Sequence, residues 1–444
     1  MVSPETKLGS FVANLQYDDI PADVVQTVRR AFADTTGVML AGSAEGAGAV
    51  ALNNAGIDPA TASPPERLGV DGSGSPAETA LRVGTAGHAL DYDDLSWGMD
   101  GHPSVVLVPP LLAVSPDISP TGRDLVTAYV AGFEVACAVA QPISPDHYEA
   151  GWHATATFGA LGAAAAVANL CDLDAEGTTA ALNVAASTPA GLKRNFGSMT
   201  KPLHAGLAAR SGVTAATLAR DGLTTDATAV SGERGFWDLY GGDQRKEFER
   251  SDEWAVREHG IHVKAYPCCY FTHTSIAASQ ALSDENDIEP DAIERVVVRT
   301  SQGAADALHH ADPETGLEAK FSMEYAVASA IVRDRVGLAT FEDDAIDHPT
   351  VQRVRERVDF AVDADLHYDS HETYVRIETA DNMVERRQDN PPGVHDDPLD
   401  EDSFHAKFRE CAGRVVTDDR IDPLYDLFTR IDEDEAPVAS LRDI

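Results

Sequence analysis

The sequence predicts a mainly α fold, a large all-helical domain with a smaller α+β lid domain inserted into it. Three observations carry this expectation. Residues 153–222 are dominated by Ala and Gly at helical spacing, as in HATATFGALGAAAAVANL and HAGLAARSGVTAATLARDG, and nothing there alternates like a strand. The character changes near residue 259. AIERVVVRTS (292–301) holds a β-branched run, and VDFAVDADL (358–366) and TYVRIETAD (373–381) alternate with period two. After an acidic, Pro-rich link, DNPPGVHDDPLDEDS (389–403), helix-forming sequence returns in FHAKFRECAGRVV. The expected boundaries are 1–258 and 397–444 for the helical domain and 259–396 for the lid. A chain of 444 residues is too long for one ordinary core, and a cleft between two domains is the default ligand site.

Taken in order, residues 3–42 read as two helices, with Pro21 suited to the first turn of the second. Residues 43–76 are rich in Gly, Ser and Pro and read as a long surface excursion. A helix from about Pro76 to Leu90 delivers His88 and a cluster of aspartates at its C-terminal end. A short apolar segment follows at 103–114, then a buried helix at 121–141 with Thr121 as its N-cap. Within the smaller domain, helices are expected near 273–283, 320–334 and 342–356.

Composition narrows the function classes. Asp and Glu number 73 against 34 Lys and Arg, for a formal net charge of −39. Such a field repels nucleic acid and anionic lipid, so neither a nucleic-acid nor a membrane partner is expected. The acidic residues are spread over the whole chain, the pattern of a salt-adapted, halophilic surface whose self-repulsion high ionic strength screens. Only seven lysines remain, and Lys201 and Lys264 stand out because their surroundings are neutral and apolar. Five cysteines without a CxxC pair argue against zinc or iron–sulfur ligation. There is no GxGxxG or Walker A pattern, no apolar run long enough for a membrane span, and no apolar h-region in MVSPETKLGS. A cytoplasmic protein with reduced thiols and no cofactor is expected. The small-residue surface of 153–222 exceeds what one core needs, which points to a two-fold homodimer.

The chemistry concentrates in Gly84–Pro110, GTAGHALDYDDLSWGMDGHPSVVLVPP, which holds His88, Asp91, Asp93, Asp94, Asp100 and His102 amid core-like sequence. Burying carboxylates costs several kcal/mol unless they are paired or solvated, so the stretch suggests a cleft; the plainer alternative is a polar loop with aspartates as N-caps. Asp93, Asp94 and His102 resemble a DDxxD magnesium pattern, but its third position is Trp97, and no metal is expected. His309–His310 reads as a surface pair. Cys268 and Cys269 cannot face the same way in a strand.

Four segments, HALDYDD…GHPSVVLVPPLLA (88–113), GWHATATFGALGAAAA (151–166), GSMTKPLHAGLAARSGVTAATLARDGLT (197–224) and HVKAYPCCYFTHTSIAA (262–278), together with PLDEDSFHAKFRECAG (398–413), resemble the MmgE/PrpD family. That family includes 2-methylcitrate dehydratase and cis-aconitate decarboxylase. The resemblance implies a large helical domain with an inserted lid, a homodimer and a lyase site that needs no metal. It carries catalytic roles onto Asp91, His102, His153, Lys201 and Lys264. Around the substrate it suggests Asp93, Ser104, His204, Cys269 and His273; Tyr325, in KFSMEYAVA, reads either as a ligand to a substrate carboxylate or as a core tyrosine. The sequence departs from the decarboxylase pattern at Leu95, where a Thr is usual, at Cys269, where a His is usual, and in an Asp91-to-His102 spacing one residue longer.

The residue types agree with such chemistry. Eliminating water from a citrate-like acid needs cations for two or three carboxylates, a base for a weakly acidic C–H, an acid for the leaving hydroxyl, and fixed positive charge for the aci-carboxylate intermediate. Two lysines and two histidines supply this set. The expectation is a metal-independent lyase acting on a small polycarboxylate, foremost by water elimination of the 2-methylcitrate dehydratase type. A cis-aconitate-type decarboxylase and a dicarboxylate racemase or epimerase are the alternatives. A non-enzymatic alternative, an acidic helical scaffold binding a partner protein, requires Asp91, His102, His153 and Lys201 to be scattered.

Overall fold

The computed structural model describes residues 2–241, 245–248 and 251–443. They form two compact units. The first gathers Met1–Asn195, Met199–Val263 and Asp400–Ile444; the second gathers Phe196–Ser198 and Lys264–Leu399.

Among the described residues of the first unit, all regular elements are helical. Pro4–Asn14 is capped by Ser3, whose side chain accepts from the Thr6 N–H, and Ala22–Gly42 starts directly after Pro21. The segment expected as an irregular excursion carries two short helices, Gly46–Asn54 and Pro64–Leu68. The second is nucleated by a reciprocal capping box between Ser63 and Glu66 with Pro at its start, a signal that overall Gly/Ser/Pro richness hid. Pro76–His88 follows as expected, and the apolar stretch after it is a full helix, Ser104–Ile118, despite Pro109, Pro110 and Pro116. Its residues from Ser104 to Ser115 are all buried, so packing outweighs the lost backbone bonds. Thr121 caps Gly122–Ala140 through a capping box with Asp124. Ala154–Leu170, Ala175–Ala185 and Thr200–Arg220 form the Ala/Gly-rich core. The last helices of this unit include Glu401–Ala412 and Asp418–Thr429.

Small residues let these helices approach backbone to backbone. A Cβ on Gly84 would lie 3.0 Å from the Cα of Gly206, and one on Gly206 would collide with the Leu81 carbonyl. Pro76–His88 and Thr200–Arg220 are thereby seated directly on each other, which brings Lys201 to the turn that follows His88.

The second unit holds a four-stranded sheet of β1 (Ile293–Thr300), β2 (Val358–Val362), β3 (Thr373–Thr379) and β4 (Met383–Gln388), in the order β2-β1-β3-β4. β1 pairs with β2 in parallel and with β3 antiparallel, and β3 and β4 form an antiparallel pair. Helices His273–Glu285 and Met323–Val332 share a core with Val296, Val298, Val375 and Ile377. β4 was not expected. MVERRQ alternates between exposed and half-buried positions and carries three charged residues, so it offered no hydrophobic alternation as a signal. The region near 342–356 splits into Asp343–Ile346 and Pro349–Arg355, interrupted at Pro349. Cys268 and Cys269 lie in a turn and both are buried, so the strand geometry assumed for them does not apply. No helix among the described residues is long and apolar enough to cross a membrane.

Candidate active site

The site is built on the turn between Pro76–His88 and Ser104–Ile118 in the first unit. Its backbone is specialised. Asp91 adopts a left-handed φ of 53°, which the short polar side chain of Asp tolerates, and Ser96 pairs with Gly101 in an isolated bridge that folds the chain back. Only Gly fits at 101, since a Cβ there would lie 2.8 Å from the Thr155 nitrogen. The His102 N–H then donates to the Thr155 hydroxyl at 3.0 Å.

Asp93 is fully buried between two imidazoles. Its carboxylate oxygens are each 2.9 Å from His88 Nδ1, and Oδ2 is 3.2 Å from His102 Nδ1. His102 Nδ1 also lies 2.8 Å from the Asp94 carbonyl oxygen. A carbonyl only accepts, so His102 Nδ1 carries its proton and Nε2 is left for chemistry. Burial alone would raise the Asp93 carboxyl; the neighbouring imidazoles outweigh it and hold the group well below the usual carboxylate range. Burial pushes His88 down to about 4, against the opposing pull of Asp93.

Asp94, the next residue, has the opposite environment. It accepts from the Ser104 hydroxyl and, at 3.2 Å, from the Ser104 N–H, and the Ser104 hydroxyl is 2.6 Å from the Tyr129 hydroxyl. Burial, with the nearby Asp34 charge, raises the Asp94 carboxyl well above its ordinary value. Asp34 itself is paired with Lys407 at 2.6 Å, and Lys407 donates to the Tyr92 carbonyl at 2.9 Å. The C-terminal helix Glu401–Ala412 therefore ties down the site turn from below.

Lys201, in the first turn of Thr200–Arg220, donates to Asp91 Oδ1 at 2.8 Å, and both side chains are buried. The helix begins at Thr200, so Lys201 lies within it and not before it. His153 precedes Ala154–Leu170; its Nδ1 is 3.1 Å from His204 Nδ1, so one of the two must carry the proton. The His88 ring stacks on His153 at 5.7 Å and meets the His102 ring edge-on at 4.6 Å. Burial, with the nearby charges of His88 and Lys201, holds His153 well below the ordinary imidazole value; burial and Lys201 do the same more mildly for His204.

Asp91, His102, His153 and Lys201 are therefore gathered in one cluster with Asp93 and His204, contrary to the scattering that a scaffold requires. Two expected substrate ligands have other partners. The Ser104 hydroxyl is engaged by Asp94 and Tyr129, and Asp93 is enclosed by His88 and His102, because a buried polar group needs a partner.

Lys264, Cys269, His273 and Tyr325 belong to the second unit, and all are buried there. His273 Nε2 faces the Cys268 carbonyl at 3.3 Å, and its ring contacts Tyr266 and Tyr270. The Cys269 N–H donates to the Lys320 carbonyl at 2.9 Å. Tyr325 is a core residue, the second of its two expected readings; its hydroxyl donates to the Thr340 carbonyl at 2.6 Å. Residues without an expected role also emerge, namely His88, Asp34, Tyr129 and Lys407. The signal for Lys407 was present: Phe404, Lys407, Phe408 and Cys411 lie on one helical face, and all are buried.

His88, Asp91 and His102 each offer a potential metal ligand atom within 4.8 Å of the others. Asp91 Oδ1 already faces the Lys201 ammonium, which a metal ion there would have to displace. As it stands, the cluster supplies a buried cation, carboxylates and imidazole nitrogens able to accept or release protons.

Residues 6–249 match the MmgE/PrpD N-terminal domain and residues 266–426 the MmgE/PrpD C-terminal domain. The chain belongs to the MmgE/PrpD family. Among curated relatives, it is similar to the cis-aconitate decarboxylase of Mus musculus, 25% identical over 374 residues, covering 81% of this chain and 76% of the relative. It is 26% identical over 373 residues to that of Homo sapiens, covering 81% and 77% of the two chains. With that of Aspergillus terreus it shares 26% over 456 residues, covering 95% and 92%.

Proposed function

We propose that the protein is a lyase acting on a small polycarboxylate, with water elimination of the 2-methylcitrate dehydratase type as the leading reaction. The observation that carries this reading is the buried Asp91–Lys201 pair at 2.8 Å beside the imidazole cluster. A substrate carboxylate drawn to Lys201 would meet its ammonium together with the first-turn N–H groups of Thr200–Arg220. When the C–H beside that carboxylate loses its proton, the second negative charge develops next to Lys201. His102, whose side chain is 13% exposed, presents Nε2 as the group that protonates the leaving hydroxyl. The family membership and the names of the relatives support a lyase in general.

The second reading is decarboxylation of cis-aconitate, favoured by the relatives that carry that name. Leu95, Cys269 and the longer Asp91-to-His102 spacing weigh against it. Both readings use the same charge stabilisation. Incubation in molar salt with EDTA and citrate, 2-methylcitrate or cis-aconitate, followed by NMR, separates them. Loss of water from 2-methylcitrate is the expected result, and loss of CO₂ from cis-aconitate would establish the second reading. Turnover of none of the three would reject the substrate class.

We also propose a two-fold dimer through the helical unit. Met199, Leu203, Leu218 and Leu223, on and beside Thr200–Arg220, are 53%, 37%, 40% and 46% exposed, which supports an apolar face suited to a second copy. Light scattering in molar salt that reported a stable monomer would remove this reading.

A further inference from the structure

His88 carries a nitrogen that the cluster leaves over. Its Nδ1 lies 2.9 Å from both oxygens of Asp93. The other, Nε2, is buried and has no hydrogen-bond partner among the described residues. The side chain is enclosed, with the residue 1% exposed. An unpaired buried polar atom is destabilising, and such atoms persist in active sites when they have work to do. A ring nitrogen of His88 lies within 4.8 Å of a carboxylate oxygen of Asp91 and a ring nitrogen of His102, beside the position where Lys201 would hold a substrate carboxylate.

We propose that His88 is the base of the reaction, accepting the C–H proton on Nε2, with Asp93 as the positioning carboxylate that fixes its tautomer. This rests on the lyase reading above and names the atom that begins it. An ionised Asp93 accepts only, so His88 Nδ1 must hold the proton and Nε2 must be the lone pair. In the step, the substrate C–H bond breaks and its proton moves to His88 Nε2. The electron pair enters the adjacent carboxylate as an aci-carboxylate beside Lys201. The C–O bond then breaks, and the hydroxyl leaves as water with a proton from the protonated form of His102. One proton is gained by His88 and one lost by His102, so the pair ends with the charge it began with.

The surroundings suit these roles. His88 faces Asp93, Asp91, His102, His153 and Lys201, and burial keeps it in the neutral, accepting form at neutral pH. The Asp93 carboxylate lies between the two imidazoles, within 2.9 Å of His88 Nδ1 and 3.2 Å of His102 Nδ1. Asp93 therefore acts through His88 and His102 and not on the substrate.

The test uses the full chain, labelled with ¹⁵N-histidine, in molar salt. Imidazole ¹⁵N NMR, assigned with His88→Asn, should show His88 protonated on Nδ1 and bare on Nε2, and Asp93→Asn should shift its proton to Nε2. His88→Asn keeps an N–H donor for Asp93 but removes the accepting nitrogen. It should lower kcat by about 10²–10⁴-fold with KM within a few-fold, and should abolish deuterium exchange at the substrate C–H. If His88→Asn fails to fold, Asp93→Asn takes its place and should lower kcat at least about tenfold with a displaced pH profile. A wild-type His88 protonated on Nε2, or a folded His88→Asn with kcat within about threefold of wild type, would overturn the proposal. Wild-type protein that turns over none of the acids fails the lyase reading instead, and the NMR result still reports whether the lone pair is where this assignment needs it.

Discussion

The two compact units bury polar groups in different ways. In the helical unit, the carboxylates around the site turn are buried against cations or imidazoles: Asp91 with Lys201, Asp34 with Lys407, and Asp93 between His88 and His102. In the α+β unit, the buried Tyr325 hydroxyl donates to the Thr340 carbonyl, and the Ser275 and Thr373 hydroxyls bond to each other. Backbone partners make a self-sufficient core, whereas ionic partners store charge that a ligand can exchange for its own. The contrast accords with the proposed proton chemistry in the helical unit and can be broken at several points.

The largest effect is expected at Lys407. Removing one partner of a buried ion pair leaves the other unpaired, so Lys407→Met should cost about 3–5 kcal/mol in denaturant unfolding. The double variant with Asp34→Asn should recover most of that. A cost under about 1 kcal/mol for Lys407→Met would mean that the pair does not hold the site turn.

Next is Lys201. If it stabilises the developing charge, Lys201→Ala should lower kcat by roughly ten- to several-hundredfold with a smaller change in KM. A KM rise with kcat retained would make it a substrate anchor only. Unchanged kcat/KM would remove it from the reaction.

The pH dependence sharpens the contrast further. Burial lowers four histidines in the helical unit, His88 and His147 to about 4 and His153 and His204 in the same direction, but only His371 among those with a resolved shift in the other. Each is neutral when folded and takes a proton when unfolded below about pH 6.5. Stability is therefore present above that pH and is lost as pH falls, towards 4 for His88 and His147 and by up to about 1.4 kcal/mol per pH unit for each of those two. Asp34 and Asp94, raised by burial, act in reverse, since their contribution is full at low pH and is lost as pH rises through the folded-state value. Hydrogen exchange in molar salt, which screens the surface charge, should show the helical unit weakening faster between pH 6.5 and 4. Equal weakening of the two units would contradict this.

The smallest effect is expected at Tyr325. Tyr325→Phe loses one hydrogen bond to a carbonyl, about 1 kcal/mol, and kcat/KM should stay within about twofold. A tenfold loss of activity would return Tyr325 to the site.

A family resemblance singled out Asp91, His102, His153 and Lys201, while the sequence by itself determined most of the helices and three of the four strands. These features depend on periodicity and capping within single elements, such as Thr121 with Asp124 or the alternation of Thr373–Thr379. It could not supply β4, whose charged residues are held by backbone pairing to β3 and not by a buried face. Nor could it tell Asp93 from Asp94. The two are neighbours in the chain, yet one is flanked by imidazoles and the other by Ser104, with Tyr129 beyond it. That difference arises from partners as far away as Tyr129 and, through the Asp34 charge, Lys407. The Gly84–Gly206 approach brings Lys201 to Asp91 in the same way, across more than a hundred residues of chain. Ionisation in a low-dielectric interior is decided by distances of a few ångströms, and only the packing of the helices sets those distances.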